Sequence, residues 1–220
     1  MKKLVTFLYA VLAGIAISIG GIAYLSIENK VVGAIFFTVG LFTVVTHGLN
    51  LYTGKVCYVF EKDKAYALNL PLIWLGNLAG AVGVGLIVRL LPRMLGLAKR
   101  AAELSQVKLS DGPLSIFILA VFCNILIFLA VEGFYRNEKH AGKYIGLFLG
   151  VSVFIICGFE HCVANMFYFT AGGAWSLKTL LYVIIMTLGN SVGGVIFPLL
   201  RQLKAKSEAD PERAPAGTIK

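Results

Sequence analysis

An all-α membrane protein is the fold class this sequence predicts, on three observations. The 220 residues are 58% hydrophobic and only 14% charged, with a mean hydropathy of +0.83. That balance lies far from a globular domain. The apolar residues are gathered into runs long enough to cross a hydrocarbon core as helices. A short pattern also recurs: Leu75-Gly76-Asn77-Leu78-Ala79-Gly80 returns as Leu188-Gly189-Asn190-Ser191-Val192-Gly193, which divides the chain into two similar halves.

Six spans follow in order. The first covers about 4–27 and closes at Glu28-Asn29-Lys30. It is longer than the apolar core of a secretory signal and ends without a small-residue cleavage site, so it reads as a transmembrane helix. The second begins near Val31, is apolar to Thr46, meets His47-Gly48-Leu49-Asn50-Leu51-Tyr52-Thr53-Gly54-Lys55, and resumes at Val56–Phe60. After the charged loop Glu61–Lys64 comes the third, about 65–91, then a polar connection from Pro92 to Pro113. The fourth covers about 114–134, and a charged turn, Arg136 to Lys143, leads to the fifth, from Tyr144 through Gly158 to about Thr170. The sixth covers about 179–200 and gives way to polar residues.

Three spans per half is an odd number, so the halves, about 1–95 and 113–204, insert in opposite senses. Inverted repeats with interrupted helices in matching positions, here the second and fifth spans, point to a transport site. Residues 1–204 thus form one transmembrane channel domain, and 205–220 a polar, disordered cytoplasmic tail. The spacings Gly76-x-x-x-Gly80 and Gly189-x-x-x-Gly193 are those of close helix packing.

The formal charge is +9. In a soluble chain that would suggest nucleic acid. Here the basic residues sit in short loops and the tail, so membrane lipid headgroups are the expected neighbours, and basic pore mouths favour anions over cations. Most lysines and arginines fall on the side of the N-terminus, which orients both termini to the cytoplasm of a multi-pass protein of the cell membrane. Arg89, Arg93, Lys99, Arg100 and Lys108 depart from that bias. Cys57, Cys123, Cys157 and Cys162 form no CxxC pair and read as small hydrophobes. No metal-ligand cluster, cofactor motif or nucleophile–base pair stands out, so neither a cofactor nor an enzyme is expected.

The most informative stretch is Gly158-Phe159-Glu160-His161-Cys162-Val163-Ala164-Asn165-Met166. It sets a carboxylate, an imidazole and a carboxamide inside an apolar run, beside a glycine that permits a helix break. Ionisable groups at membrane depth normally face a bundle interior or a water-filled path, and non-helical backbone survives there only when buried in protein or lining water. His161 is therefore a pathway candidate and Asn165 its polar companion. Glu160 is expected to orient the loop by accepting backbone N–H bonds or by pairing with a cation, because a bare carboxylate would repel anions. His47, His140 and Glu132 read as structural or interfacial.

This stretch resembles the signature of the formate/nitrite transporter family. Asn50-Leu51-Tyr52-Thr53-Gly54 is similar to that family's first broken-helix loop, and Leu75-Gly76-Asn77 with Leu188-Gly189-Asn190 fits its third and sixth spans. The resemblance covers nearly the whole chain. It implies an aquaporin-like fold, a homopentamer with one pore per protomer, and small monovalent anions as substrates: formate, nitrite, hydrosulfide or, in some branches, lactate. By the same resemblance His161 is the central pore histidine and Thr53 its loop partner. Lys108 is the lysine near the outer mouth and Asn124 a pore-facing asparagine. Leu41, Leu51, Phe37, Tyr52 and Phe154 form two apolar constrictions. Asn50, which joins Glu160 in shaping the loops, stands where several relatives carry an acid.

The expected function is passage of small weak-acid anions, formate or nitrite first and hydrosulfide after them. Apolar necks resist wetting and exclude hydrated ions. A histidine between them assists by exchanging a proton with the anion or by pairing with it. Chloride gains nothing from proton exchange, because its conjugate acid is too strong. The competing reading is an aquaporin-like channel for small neutral solutes, which would call for paired Asn-Pro-Ala loops; these are absent.

Overall fold

The computed structural model describes residues 1–209, and its helices follow the apolar runs and the capping groups between them. Helix α1 (Lys2–Ser26) leads to α2 (Lys30–Thr46), whose start is fixed by Asn29: its Oδ1 accepts from the backbone N–H of Val31 and Val32 at 3.0 and 3.1 Å. After His47–Leu51 comes the single turn α3 (Tyr52–Lys55), continued by a 3₁₀ turn at Val56–Tyr58. Asp63 caps α4 (Lys64–Leu90) through Tyr66 N–H at 2.8 Å. Helix α6 (Pro113–Arg136) opens with proline at its first position, where the missing N–H costs nothing. Then come α7 (His140–Ile156), the break Cys157–His161, α8 (Cys162–Ala171) and α9 (Leu177–Glu208), the last capped by Ser176 Oγ.

Four of these helices, α1, α4, α6 and α9, are long and apolar enough to cross a membrane. The segments expected as the second and fifth spans are each two helical pieces joined by irregular backbone. At both joints a glycine has positive φ: Gly48 at 62° and Gly158 at 71°. A Cβ would be strained there.

The halves are built alike. Helix α1 packs on α2 and α4, and α6 packs on α7 and α9. Both α4 and α9 lie so close to their partners that no side chain fits between. A Cβ on Gly76 would sit 2.6 Å from Ala10 Cβ and 2.9 Å from Phe7 O; one on Gly189 would sit 2.7 Å from Ala120 Cβ and 2.5 Å from Phe117 O.

Two boundaries differ from the sequence expectation. The polar connection after residue 91 contains a further helix, α5 (Leu95–Ser110). It packs along α8, burying only Ala101 and Ser105, and Ser105 Oγ donates to Ala101 O at 2.6 Å. Ala101 and Ser105 let it approach closely, and Leu97, Leu104 and Leu109 pack half-buried against the core beside them. The tail expected from residue 205 is also helical at first, since α9 runs to Glu208; residues 210–220 lie outside the described residues. Among the cysteines, Cys57, Cys123 and Cys162 are buried, but Cys157, at the fifth-span joint, is exposed.

Candidate functional site

Two asparagines hold the broken segments in place. Asn77 Oδ1 accepts from Tyr52 N–H at 2.8 Å, while its Nδ2 donates to Ala10 O at 2.8 Å and Asn50 O at 2.9 Å. Asn190 repeats this in the other half: Oδ1 accepts from Cys162 N–H at 2.9 Å, and Nδ2 donates to Ala120 O and Glu160 O, both at 2.8 Å. Each side chain satisfies the first N–H of α3 or α8, which a helix start leaves without a partner, and ties it to a loop carbonyl and to a carbonyl within α1 or α6. Asn50 N–H donates to Tyr9 O and Glu160 N–H to Leu119 O, each at 3.3 Å. By this correspondence Asn50 occupies the place of Glu160, and Leu51 the place of His161. Sequence reasoning took only the glycines from the recurring Leu-Gly-Asn; the asparagine beside them was the signal it missed.

His161 caps α8. Its Nδ1 accepts from Ala164 N–H at 3.1 Å, and its Nε2 lies 3.0 Å from Thr53 Oγ1. An accepting Nδ1 assigns the ring proton to Nε2, which donates toward Thr53. Phe154 stacks on the imidazole, with ring centroids 5.8 Å apart and planes 20° apart, and Phe37 meets Phe154 edge-on at 5.9 Å. All four side chains are buried.

On one side of this cluster is a cavity of about 250 Å³ whose wall includes Lys108, Phe154, Glu160, His161 and Asn165. Lys108 Nζ donates to Glu160 Oε2 at 2.6 Å, and Asn165 Nδ2 donates to the same oxygen at 2.6 Å. The lysine and carboxylate side chains are only 11% and 4% exposed. Of the two roles expected for Glu160, the cation pairing is the one present, and Lys108 is an inward-facing ion-pair partner rather than a solvated loop residue. On the opposite side Leu41, Leu51, Lys55 and Tyr58 border a smaller cavity of about 60 Å³. Phe37 and Leu41 are one turn apart on α2, about 6 Å along its axis at 1.5 Å of rise per residue, and Leu41 borders the smaller cavity.

Two expected pathway residues are placed differently. Tyr52 does not narrow this route: its hydroxyl bonds Ser191 Oγ at 2.9 Å, and its ring lines a separate groove with Leu70, Trp74 and Leu188. Position 52 belongs to α3, whose first turn directs this side chain toward α9 while it directs Thr53 toward His161. Asn124 is fully buried behind the loop, with Nδ2 donating to Thr53 O at 3.0 Å and Asn190 O at 2.6 Å. It borders neither cavity, and its Oδ1 has no partner among the described residues. Asn50 Nδ2 donates to Thr6 O at 3.1 Å, tying the first loop to α1.

A family model described as "Formate/nitrite transporter" matches residues 1–202. A protein described as a probable formate transporter, from Methanothermobacter thermautotrophicus, is 32% identical over 76% of this chain and 72% of its own length. The nitrite transporter NirC of Escherichia coli is 29% identical over 82% of this chain and 72% of its own. Among solved structures, a pentameric formate channel with formate bound superposes with a TM-score of 0.80 at 28% identity, covering 93% of this chain and 98% of that one.

Proposed function

Because the chain belongs to the formate/nitrite transporter family, a family of channels and transporters rather than enzymes, we propose that it passes small weak-acid anions across the cell membrane, formate or nitrite first and hydrosulfide after them. In this reading it is a homopentamer of six-span protomers. Each protomer is two inverted halves with broken second and fifth spans, and both termini are cytoplasmic. The pentameric formate channel that it resembles supports an anion substrate and an oligomer. A neutral-solute channel is not favoured by the family or by these relatives.

The observation that supports the reading is the buried contact of His161 with Thr53, 3.0 Å apart, with His161 and Phe154 on the wall of the Lys108 cavity. An anion leaving the Lys108 side meets Phe154 and Phe37 and must shed water there, a cost of several kcal/mol for an ion even after relaxation. Beside these rings His161 Nε2 and the Thr53 hydroxyl offer polar hydrogens, 3.0 Å from one another. They can turn from each other to the anion. Lys108 and Glu160 largely cancel one another, so the cavity admits an anion without trapping it. Proton exchange needs one further event: His161 can give up its Nε2 proton as an acid only when Nδ1 also carries one. Protonation there ends the bond from Ala164 N–H. The resting imidazole thus binds the anion as a hydrogen-bond donor, and the exchanging form is reached by releasing the α8 cap.

The test is a proteoliposome flux panel of formate, nitrite, hydrosulfide, lactate and chloride across a pH series. Formate and nitrite should pass well ahead of chloride, and more so as pH falls. Chloride flux equal to formate, or passage of glycerol without any anion flux, would overturn the reading.

A further inference from the structure

We infer that Lys55 forms a second anion-holding site, on the far side of the neck from Lys108. This rests on the anion-passing reading above. The 60 Å³ cavity beside Leu41 and Leu51 is large enough for a small anion with a water or two, since one water takes roughly 10–15 Å³ of such space. Its polar lining is almost entirely committed. The Tyr58 hydroxyl donates to Glu132 Oε2 at 2.6 Å, and the Tyr135 hydroxyl donates to Val45 O at 3.2 Å. Lys55 is the exception. No ion pair and no side-chain hydrogen bond among the described residues engages its ammonium. Its main chain is nevertheless fixed, because Lys55 O accepts from Tyr66 OH at 2.7 Å.

The absence of a counter-ion follows from the fold. In the other half Glu160 supplies the carboxylate that neutralises Lys108. The residue with the same backbone bonds on this side is Asn50, an uncharged carboxamide spent on Thr6 O. The other acid near the cavity, Glu132, is already held by Arg201 and Arg136 at 2.5 Å each and by Tyr58. The pathway therefore runs from a cavity with a balanced charge, over an apolar neck, to a smaller one with an unbalanced positive charge. An anion that has crossed the neck finds an ammonium waiting, and one entering from that side is concentrated before the neck.

The experiment compares wild type, Lys55→Gln, Lys55→Arg and Lys55→Glu in oriented proteoliposomes, with formate supplied from either face at about 0.01 M and 0.15 M ionic strength, where the screening length falls from roughly 30 to 8 Å. Lys55→Gln should lower flux about tenfold at low salt when formate is supplied from the Lys55 face, and less from the Lys108 face or at high salt. Lys55→Arg should restore most of it, and Lys55→Glu should be worse than Gln. Gln flux equal to wild type from both faces at low salt overturns the site, as does a loss that Arg does not restore. A wild type that passes no weak-acid anion overturns the functional reading and this site together.

Discussion

Replacing Lys108 by methionine should strand a buried carboxylate, and the structure sets the size of the effect. At the 2.6 Å separation of Lys108 Nζ and Glu160 Oε2, with an effective dielectric of about 20, the attraction is roughly 6 kcal/mol. Desolvation of the two ions offsets much of that, so the pair itself contributes little net stability. Removing one partner is different, because the other remains buried without compensation, at a cost of about 3–5 kcal/mol. Glu160 keeps its bond from Asn165 and faces a cavity that water can enter, which places the expected loss in the lower half of that range. The assay is a double-mutant cycle on the purified protein, reading thermal unfolding in detergent and formate flux in liposomes. Lys108→Met should be the least stable variant and should lose flux, because the stranded carboxylate repels the substrate. Lys108→Met/Glu160→Gln should recover much of both. If the double variant is no better than Lys108→Met, or if Lys108→Met matches wild type, then the two residues are not coupled as their geometry requires.

Further expectations concern the loop and the neck. Asn77→Ala and Asn190→Ala each leave one backbone N–H and one loop carbonyl without partners, since Ala10 O and Ala120 O lie within α1 and α6 and keep their helical bonds, at about 1–3 kcal/mol per stranded buried group; the two should lower the melting temperature by similar amounts, and hydrogen exchange should rise at residues 50–53 or 160–163 respectively. His161→Asn keeps a side chain that can cap α8 but cannot exchange protons, so its formate flux should lose the pH dependence of wild type between about pH 5 and 8 while its fold is retained. His161→Phe removes both the cap and the donor and should lose the flux as well; wild-type pH dependence in either variant would return His161 to a packing role.

Much of this was readable from residue types alone, and the rest was hidden for identifiable reasons. Apolar runs marked the helices, and the polar stretches around residues 47–55 and 158–166 marked both breaks, because burial in a membrane demands continuous apolar sequence and a break needs polar groups to satisfy its backbone. Glu160, His161 and Asn165 stood out because polar groups in such a run need partners. Lys108 and α5 were harder: the helix buries only Ala101 and Ser105, too little to stand out as an apolar face. The identity of the lysine's partner depends on a meeting of α5 with the α7–α8 joint that no local pattern encodes. Tyr52 and Thr53 are neighbours in sequence, and which of them looks toward His161 was decided by the direction of a single helical turn. Lys55 looked like one more basic residue in a loop until the hydrogen bonds of Tyr58 and Tyr135 showed how little else in its cavity remains unsatisfied.

The paired carboxamides of Asn77 and Asn190 have a consequence for how such a pore can change over time. They grip the loops by main-chain atoms from behind, so most side chains facing the two cavities have no share in holding the backbone. Leu41, Leu51, Phe154 and Lys55 can be exchanged without dismantling the scaffold, and the range of solutes admitted can drift while the frame stays constant. His161 is the exception, since it both caps α8 and faces the neck. A change there alters the permeation chemistry and the local architecture together, so His161, like the Lys108–Glu160 pair, has no small first step.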